Sequence, residues 1–471
     1  MAATTLTLVD GARIVVPDSL ELITPYVLRE QHDWFEDEIK FLRRLLQHGD
    51  QVIDIGANYG VYALSMARTV GPAGRVWAFE PASGTADFLA ASIAANGFAQ
   101  VSLERCALSN ATGTAQLALH GHAELNALVR GAPAAGHSET VPVSTLDEYL
   151  HTRDWRDIAF VKIDAEGEEA NILRGGASFF AECSPLVQYE IRAHTDLHME
   201  LVQAFAAAGY ASYRLVPGLD LLVRFDTRSP RDKFLLNLFC CKRERAADLA
   251  VRGFLVDPAI APARKGERLR QAWSRLADRN RYGWRSTIAS LPYAARLAPL
   301  WDKTVAAGRS REVESALVLH ARSRDASLPA RERYAALQAS FVRFTALSES
   351  NPSYPRLASL ARIASEYGVR AAATKALRAL VESILAGCPV EAGEPFLAPA
   401  ARFDSVMPGA ALRDWVLAAA LEELERLGSF SSFYTGAASR ERLEMIRDLG
   451  FGSAEMQRRR LLLHQRFGAV A

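Results

Sequence analysis

The sequence has few cysteines, no long apolar run and no basic leader at its start. Its five cysteines among 471 residues form no C-x-x-C pair, and their odd number and apolar surroundings predict free thiols in a reducing compartment. The longest apolar stretches, such as Phe234–Cys241, are too short to cross a bilayer. The first residues lack the basic region of a signal peptide. We therefore expect a soluble, cytoplasmic protein.

The chain also lacks an excess of charge of either sign. Its 55 Lys and Arg residues balance 54 Asp and Glu residues, which argues against a broad basic face for nucleic acid, although a local basic patch remains open. A length of 471 residues favours two domains, and a hydrophobic content of 49% is enough for sizeable cores.

The most informative segment is QVIDIGANYGVYALSMARTVGPAGRVWAFE, residues 51–80. Apolar residues at 51–56 predict a buried parallel strand, and 61–70 has the apolar spacing of a helix. The residues between them form a glycine turn small enough for a ligand to touch backbone. A second strand at 75–80 ends on Glu80, whose carboxylate can accept hydrogen bonds from a ribose. The segment predicts a nucleoside site.

The turn lacks the central glycine of the dinucleotide fingerprint, which lets a pyrophosphate approach the helix N-terminus. The negative charge of Asp54 would moreover repel a pyrophosphate and attract an ammonium group. The pattern thus favours S-adenosylmethionine, with Asp54 near its amino group, Gly56 and Gly60 along its tail, and Glu80 on its ribose. Two alternatives are a nicotinamide cofactor and a βαβ unit whose glycine only makes a tight turn.

Strands and helices alternate up to about residue 245 and predict a doubly wound α/β sheet. Four acids, Asp54, Glu80, Asp164 and Glu190, fall at strand ends, where such sheets bind ligands. We expect domain one at 1–245, a linker at 246–265, and an all-α domain at 266–471. The predicted strands are 51–56, 75–80, 101–108, 159–165, 185–191, 212–216 and 234–241, with an inserted hairpin at 114–120 and 140–143.

Several runs together resemble the FkbM-type S-adenosylmethionine-dependent methyltransferases: DIGANYGVYALSMA, AFEP, CALS, VPVSTLDEYL and FVKIDAEGEEANILRGG. The resemblance covers roughly residues 33–193, well under half of the chain. It implies a class I methyltransferase (Rossmann-like) fold and O-methylation of a hydroxyl on a sugar, glycan or secondary metabolite. On it we assign to the donor site Asp54, Gly56, Ala57, Asn58, Gly60, Glu80, Pro81 and Ala107.

The run KIDAEGEE supplies the expected catalytic residues together with the fifth strand. Asp164 and Glu190 are placed to orient or deprotonate a hydroxyl that attacks the sulfonium methyl. Glu166 and Glu168 are assigned to the substrate, although acids there also simply favour a helix N-terminus.

Histidines near these acids are weaker candidates. His194 and His198 stand four apart after Glu190 and could bind a metal, but a solvated loop is the favoured interpretation, so we predict no metal. His194 is kept as a substrate contact. His120 and His122 lie in a loop rich in glycine and alanine that could cover substrate, or they are ordinary surface residues.

The C-terminal helices carry no strand-end acid, phosphate loop or metal-ligand spacing, and we interpret them as non-catalytic. A second class of function follows from them: an interaction or recruitment protein in glycan biosynthesis, in which the Rossmann-like domain binds a nucleoside ligand. Such helices could also make a homo-oligomer.

Overall fold

The computed structural model describes residues 2–129, 137–153, 155–193, 196–228, 232–260, 280–409 and 411–468. The chain divides into two compact units. The first comprises Met1–Leu215, Leu222–Ser229 and Leu235–Val251, and the second comprises Val216–Leu221, Pro230–Phe234 and Arg252–Ala471.

This division differs from the predicted boundary at residue 245, because two short segments of the N-terminal half belong to the helical unit. Phe234 packs edge to face on Phe430 at 6.3 Å between ring centroids. The Asp232 carboxylate accepts a hydrogen bond from the Ala371 N–H at 2.9 Å. Contacts over such sequence separations leave no local pattern, so the sequence could not show them.

The first unit is built on a twisted sheet whose central strands β3 (Gln51–Ile55), β4 (Arg75–Phe79), β5 (Val101–Glu104), β10 (Ile158–Ile163) and β11 (Leu186–Glu190) run parallel. From β15 (Leu221–Arg224) the order is β15-β14-β16-β11-β10-β3-β4-β5, with β14 at Ala211–Val216 and β16 at Asn237–Cys241. Strand β16 is antiparallel to both β11 and β14. The predicted doubly wound α/β sheet of class I type is confirmed, and β15 is a strand that the sequence analysis missed.

Helices of the first unit flank this sheet. The helix over Val61–Val70 has the predicted ends. The next helix, Ser83–Asn96, stops at Gly97, which is left-handed. The nine helices described in this unit are Ile23–Gln31, Asp37–Leu45, Val61–Val70, Ser83–Asn96, Leu146–Arg153, Glu169–Gly175, Ala177–Glu182, Met199–Ala207 and Arg243–Val251.

A second, four-stranded sheet in the order β6-β9-β7-β8 contains the predicted hairpin, formed by β7 (Gly113–Ala118) and β9 (Ser138–Ser144). The prediction of one strand over 101–108 is wrong. Its second half, β6 (Ala107–Leu108), leaves the main sheet and pairs with β9, because Ala107 packs in a separate small core. The remaining strands are β1 (Ala3–Thr7), β2 (Arg13–Pro17), β8 (Ala127–Leu128), β12 (Arg192–Ala193), β13 (Asp196–Leu197) and β17 (Leu255–Val256).

The second unit is helical, as predicted. Gly368, with a φ of 83°, ends the helix Tyr354–Tyr367 before the next helix begins at Arg370. Trp301 and Trp415 are wholly buried in its core. Its longer helices are Ala298–Ala306, Arg311–Ser323, Ala330–Ser350, Tyr354–Tyr367, Arg370–Leu385, Leu412–Gly428, Ala437–Asp448 and Ala454–Phe467.

The predicted linker at 246–265 is partly regular structure. The helix Arg243–Val251 extends into it because Ala246 and Leu249 are buried, and β17 follows. Residues 261–265 lie outside the described part of the chain. Across the described ranges, none of the helices combines the length and apolar character that a membrane span requires.

Candidate active site

The glycine turn after β3 lies directly against the end of β10. Gly56 has a φ of 77°, and a Cβ added there would stand 1.8 Å from the carbonyl oxygen of Asp164. At Gly60, with a φ of 93°, a Cβ would stand 2.3 Å from a methyl carbon of Leu89. Asn58 between them is also left-handed. The turn therefore requires glycine both for its backbone angles and for its close approach to neighbours.

Glu80 follows β4 and is pinned by two backbone amides. Its Oε2 accepts a hydrogen bond from the Asn58 N–H at 2.8 Å, and its Oε1 accepts one from the Ala82 N–H at 2.9 Å. Burial of this carboxyl raises its pKa to about 7, against the lowering effect of those two bonds. The carboxylate is thus fixed against the glycine turn, as a group that receives a ribose must be.

Asp54 is wholly buried within β3, and neither of its carboxylate oxygens makes a well-formed hydrogen bond with a described residue. Burial raises its pKa to about 6, while the nearby ammonium of Lys162 and the Ala63 amide lower it. Asp54 is thus enclosed near the end of β3, two residues before Gly56.

Asp54 belongs to a polar row across the centre of the sheet. In register it stands beside Lys162 of β10, which stands beside Gln188 of β11. Burial alone would lower the pKa of Lys162, but the charges of Asp164 and Asp54 more than offset this and raise it. The Lys162 ammonium donates to Asp164 Oδ2 at 2.7 Å and so fixes one side of that carboxylate.

Asp164, Glu166 and Glu190 converge at the carboxyl ends of β10 and β11, where one carboxylate oxygen of each lies within 4.8 Å of the others. Burial, and then the charges of Asp164 and Glu166, raise the pKa of Glu190 to about 10. Loss of hydration and the charge of Asp164 raise the pKa of Glu166 to about 8, although it is more open to solvent than Glu190. The predicted catalytic pair and Glu166 thus share one cluster.

Two further residues of the first unit lie near this cluster and were not predicted from the sequence. They are Glu36, just before the helix Asp37–Leu45, and Tyr62, on the helix Val61–Val70. The Tyr62 hydroxyl donates to the Glu36 carboxylate and accepts from Gln188 Nε2 at 3.3 Å. The Lys162 ammonium lies 4.7 Å from the centre of the Tyr62 ring. Lys and Gln inside otherwise apolar strands were the available signal for this network, whereas nothing local marked Glu36.

Glu168 does not join the cluster, contrary to its assignment to the substrate. It is buried, and its Oε2 accepts hydrogen bonds from the Ser109 hydroxyl at 2.8 Å and from Asn171 Nδ2 at 2.9 Å. These contacts hold the start of the following helix. Glu169 likewise accepts from the amides of Ala165 and Gly167, so it fixes the turn that carries Glu166.

Other predicted residues take varied positions. Ala57 is buried in the glycine turn, Pro81 is partly buried after Glu80, and Ala107 lies in the small core of the second sheet. His120 is exposed and His122 partly buried, on the loop between β7 and β8. Neither histidine belongs to the acid cluster of Asp164, Glu166 and Glu190. His194 lies outside the described residues.

Comparison with known proteins identifies the first unit. Residues 54–212 match the model of the methyltransferase FkbM domain. The chain therefore contains an FkbM methyltransferase domain, the family of its sequence resemblance, and its helical unit lies beyond the matched residues. A comparison with curated protein sequences found no significant match.

Three solved structures are similar to part of the chain. One is the methyltransferase FkbM from Methylobacillus flagellatus KT, at 16% identity and a TM-score of 0.29, covering 41% of this chain and 44% of that one. The O-methyltransferase TomG from Streptomyces achromogenes, solved with SAM, has 15% identity, a TM-score of 0.25 and coverage of 44% and 79%. The O-methyltransferase from Bacillus cereus, solved with SAH, has 13% identity, a TM-score of 0.27 and coverage of 48% and 92%. The match spans less than half the length of the first of these.

Proposed function

We propose that the first unit binds S-adenosylmethionine along the Gly56–Gly60 turn and transfers its methyl group to a hydroxyl of a sugar, glycan or secondary metabolite. The observation that carries this proposal is the Glu80 carboxylate, buried and fixed beside the turn by the amides of Asn58 and Ala82. The acid cluster lies at the end of β10, which adjoins β3 in the sheet. Donor and acceptor groups would therefore meet at one edge.

Glu80 is the proposed ribose ligand. Each of its oxygens accepts one amide hydrogen and keeps a further lone pair for a ribose hydroxyl. The negative charges of Asp54, two residues before Gly56, and of Asp164, whose carbonyl oxygen faces Gly56, would favour the ammonium group of a methionine tail. The same charges oppose a pyrophosphate, which argues against a nicotinamide dinucleotide. Pro81, Ala57 and Ala107 remain proposed donor contacts.

In the proposed reaction the acceptor oxygen attacks the donor methyl carbon, and the bond from that carbon to sulfur breaks. The sulfonium becomes a neutral thioether, and the hydroxyl proton passes to a carboxylate. Asp164 is the proposed acceptor of that proton, since the raised pKa of Glu190 keeps that residue protonated at neutral pH in the free protein. Glu190 and Glu166 then orient the hydroxyl by hydrogen bonds.

Calorimetry with S-adenosylhomocysteine tests the donor assignment, with NAD in a parallel titration as the rival ligand. We expect binding of S-adenosylhomocysteine and none of NAD. Absence of detectable binding at millimolar S-adenosylhomocysteine would overturn the proposal. Mass spectrometry of glycans and small metabolites from cells with and without the protein would then identify the acceptor.

For the helical unit we propose recruitment of a larger acceptor or of another subunit. The supporting observation is a group of large apolar side chains in its last helices that are about half exposed: Tyr434, Leu461 and Phe467, each 52%. Replacing all three by serine should leave binding of S-adenosylhomocysteine unchanged and reduce methylation in cells. Unchanged cellular methylation and unchanged mass in solution would reject the recruitment role.

A further inference from the structure

The carboxylates of Asp164, Glu166 and Glu190 have the mutual spacing of ligands on one metal ion. One oxygen of each lies within 4.8 Å of the others. Hard cations bind oxygen at about 2.1 Å for Mg²⁺ and about 2.4 Å for Ca²⁺, so two ligand oxygens on one ion stand at most about 4.2–4.8 Å apart. Oxygens up to 4.8 Å apart meet the limit for Ca²⁺ as they stand, whereas around Mg²⁺ they would have to come within about 4.2 Å of one another.

These oxygens are also available. Among the described residues, no hydrogen-bond donor contacts the carboxylate of Glu166 or of Glu190. The Oδ2 of Asp164 accepts a hydrogen bond from the Lys162 ammonium, whereas its Oδ1 accepts none from a described residue. Carboxylates that served only to hold the fold would accept hydrogen bonds, as Glu168 and Glu169 do nearby.

A buried amide beside the cluster is an independent sign of a ligand. Asn237 of β16 stands directly opposite Glu190 in the antiparallel pair with β11. Paired residues of this kind share one face of the sheet, with their Cβ atoms about 4.5–5.5 Å apart. Asn237 is 6% exposed, and its Nδ2 has no partner among the described residues. An unpartnered buried amide N–H costs about 1–3 kcal/mol, which the oxygen of a water molecule held by an ion would remove by accepting a hydrogen bond.

The charge balance favours a cation over any other occupant. When all three carboxyls are ionised, as the binding of a cation requires, Lys162 offsets one of their negative charges through its ion pair with Asp164. Asp54 and Glu36 add further negative charge around the same ammonium. An anionic ligand such as a phosphate ester would be repelled, whereas a divalent cation would neutralise the remaining carboxylates.

We propose that Asp164, Glu166 and Glu190 bind one divalent cation of the hard class, such as Mg²⁺, Mn²⁺ or Ca²⁺, with Asn237 at the edge of the site. The role of the ion rests on the proposed function: it would bind the acceptor hydroxyl and stabilise the oxygen while the hydroxyl proton passes to the Asp164 carboxylate. That oxygen then attacks the donor methyl carbon, the bond to sulfur breaks, and the ion is not consumed. The prediction of no metal, made from the histidine spacing, is replaced by a site made of carboxylates.

The test is titration of the full-length chain, stripped with EDTA, with MnCl₂, while free Mn²⁺ is followed by electron paramagnetic resonance. We expect one Mn²⁺ per chain, displaced by excess MgCl₂ or CaCl₂. Glu190→Gln and Glu166→Gln should each weaken Mn²⁺ binding by at least about tenfold. Glu148→Gln, at an exposed helix position away from the cluster, makes the same change of charge and should bind Mn²⁺ as the wild type does. Circular dichroism establishes that each variant is folded.

Calorimetry with S-adenosylhomocysteine on the same samples separates this proposal from the proposed function. Absence of Mn²⁺ binding at millimolar concentration, or equal binding by wild type, Glu190→Gln and Glu166→Gln, would overturn the cation site. Donor binding and methyl transfer unaffected by EDTA would in that case leave the methyltransferase assignment standing. Mn²⁺ binding lost in the two variants, with no binding of S-adenosylhomocysteine, would support the cation site and reject the donor assignment.

Discussion

Gly56 and Asp164 meet where two adjoining strands of the sheet end, so closely that a single added carbon would overlap. The carbonyl oxygen of Asp164 stands 1.8 Å from the position of a Cβ on Gly56, and the Asp164 N–H donates to the Ile55 carbonyl at 3.1 Å. The glycine turn and the strand end that carries Asp164 are therefore held together by backbone contact. A change in either strand end would move both.

The first prediction concerns Gly56→Ala. The new methyl group would collide with backbone, which cannot rotate away, and φ at this position is positive. We expect a loss of about 2–5 kcal/mol in the free energy of unfolding, from strain of about 1–2 kcal/mol and overpacking of about 1–3 kcal/mol. Urea unfolding measures it.

Gly49→Ala is the matched control for this variant. Gly49 also has a positive φ, of 92°, but a Cβ there would have nothing within 4 Å. This variant should lose only about 1 kcal/mol in the free energy of unfolding, because it suffers the backbone strain without the collision. Equal losses in the two variants would show that backbone angle, rather than contact with Asp164, is what requires glycine at position 56.

The second prediction is a pH dependence of donor binding. Burial raises the pKa of Glu80 to about 7, so the free protein holds a proton there that a bound ribose must displace. Affinity for S-adenosylhomocysteine should rise by up to about tenfold from about pH 6 to about pH 8. Glu80→Gln should bind about 1–3 kcal/mol more weakly, and its affinity should lack the wild-type rise over this range. A wild-type affinity that is flat with pH would contradict the assignment.

The raised pKa of Glu80 also makes the folding stability depend on pH. The unfolded chain releases the Glu80 proton near the ordinary value of 4.5, whereas the folded chain keeps it up to about 7. The contribution of Glu80 to folding stability is thus present at low pH and is lost as the pH rises through that window. Relative to wild type, Glu80→Gln should have a flatter stability profile between these values in urea unfolding.

The third prediction concerns Asp164→Asn. The amide cannot accept the hydroxyl proton, so turnover on a genuine acceptor should fall by about 10²-fold or more, while binding of S-adenosylhomocysteine is largely retained. Because Lys162 is buried and would lose its ionic partner, thermal stability should also fall. Asp157→Asn, at an exposed position just before β10, is the control. Wild-type turnover by Asp164→Asn would remove Asp164 from the reaction.

The fourth prediction concerns the helical unit. Burial alone would raise the pKa of Glu366, but the charge and hydrogen bond of His320, and then Arg362, lower it below its usual value of 4.5. The contribution of the ionised Glu366 to folding stability is therefore fully present above about pH 4.5 and is lost as the pH falls below that value. Glu366→Gln should cost about 3 kcal/mol near neutral pH and less in acid. Glu391→Gln, at an exposed position, should cost almost nothing, and a similar cost for both variants would reject the role of this ion pair.

Sequence alone determined the features that depend on local pattern. Apolar runs fixed the core strands, and the helix over Val61–Val70 was predicted to its ends. The order of strand, glycine turn, helix and terminal acid predicted where the donor binds, and this assignment stays a prediction. Because parallel strands present their carboxyl ends at one edge, Asp164 and Glu190 could be predicted to lie together, and the structure brings them together.

Only tertiary structure decided which polar groups share a contact. Glu166 and Glu168 are two residues apart, yet one joins the acid cluster and the other is bonded to Ser109, because the left-handed backbone at Glu166 turns the chain between them. Asn237 comes beside Glu190 only through an antiparallel pairing of strands distant in sequence. Sequence periodicity reports which face of an element is buried. It does not report which distant side chain lies opposite, and that pairing determines the chemistry of this site.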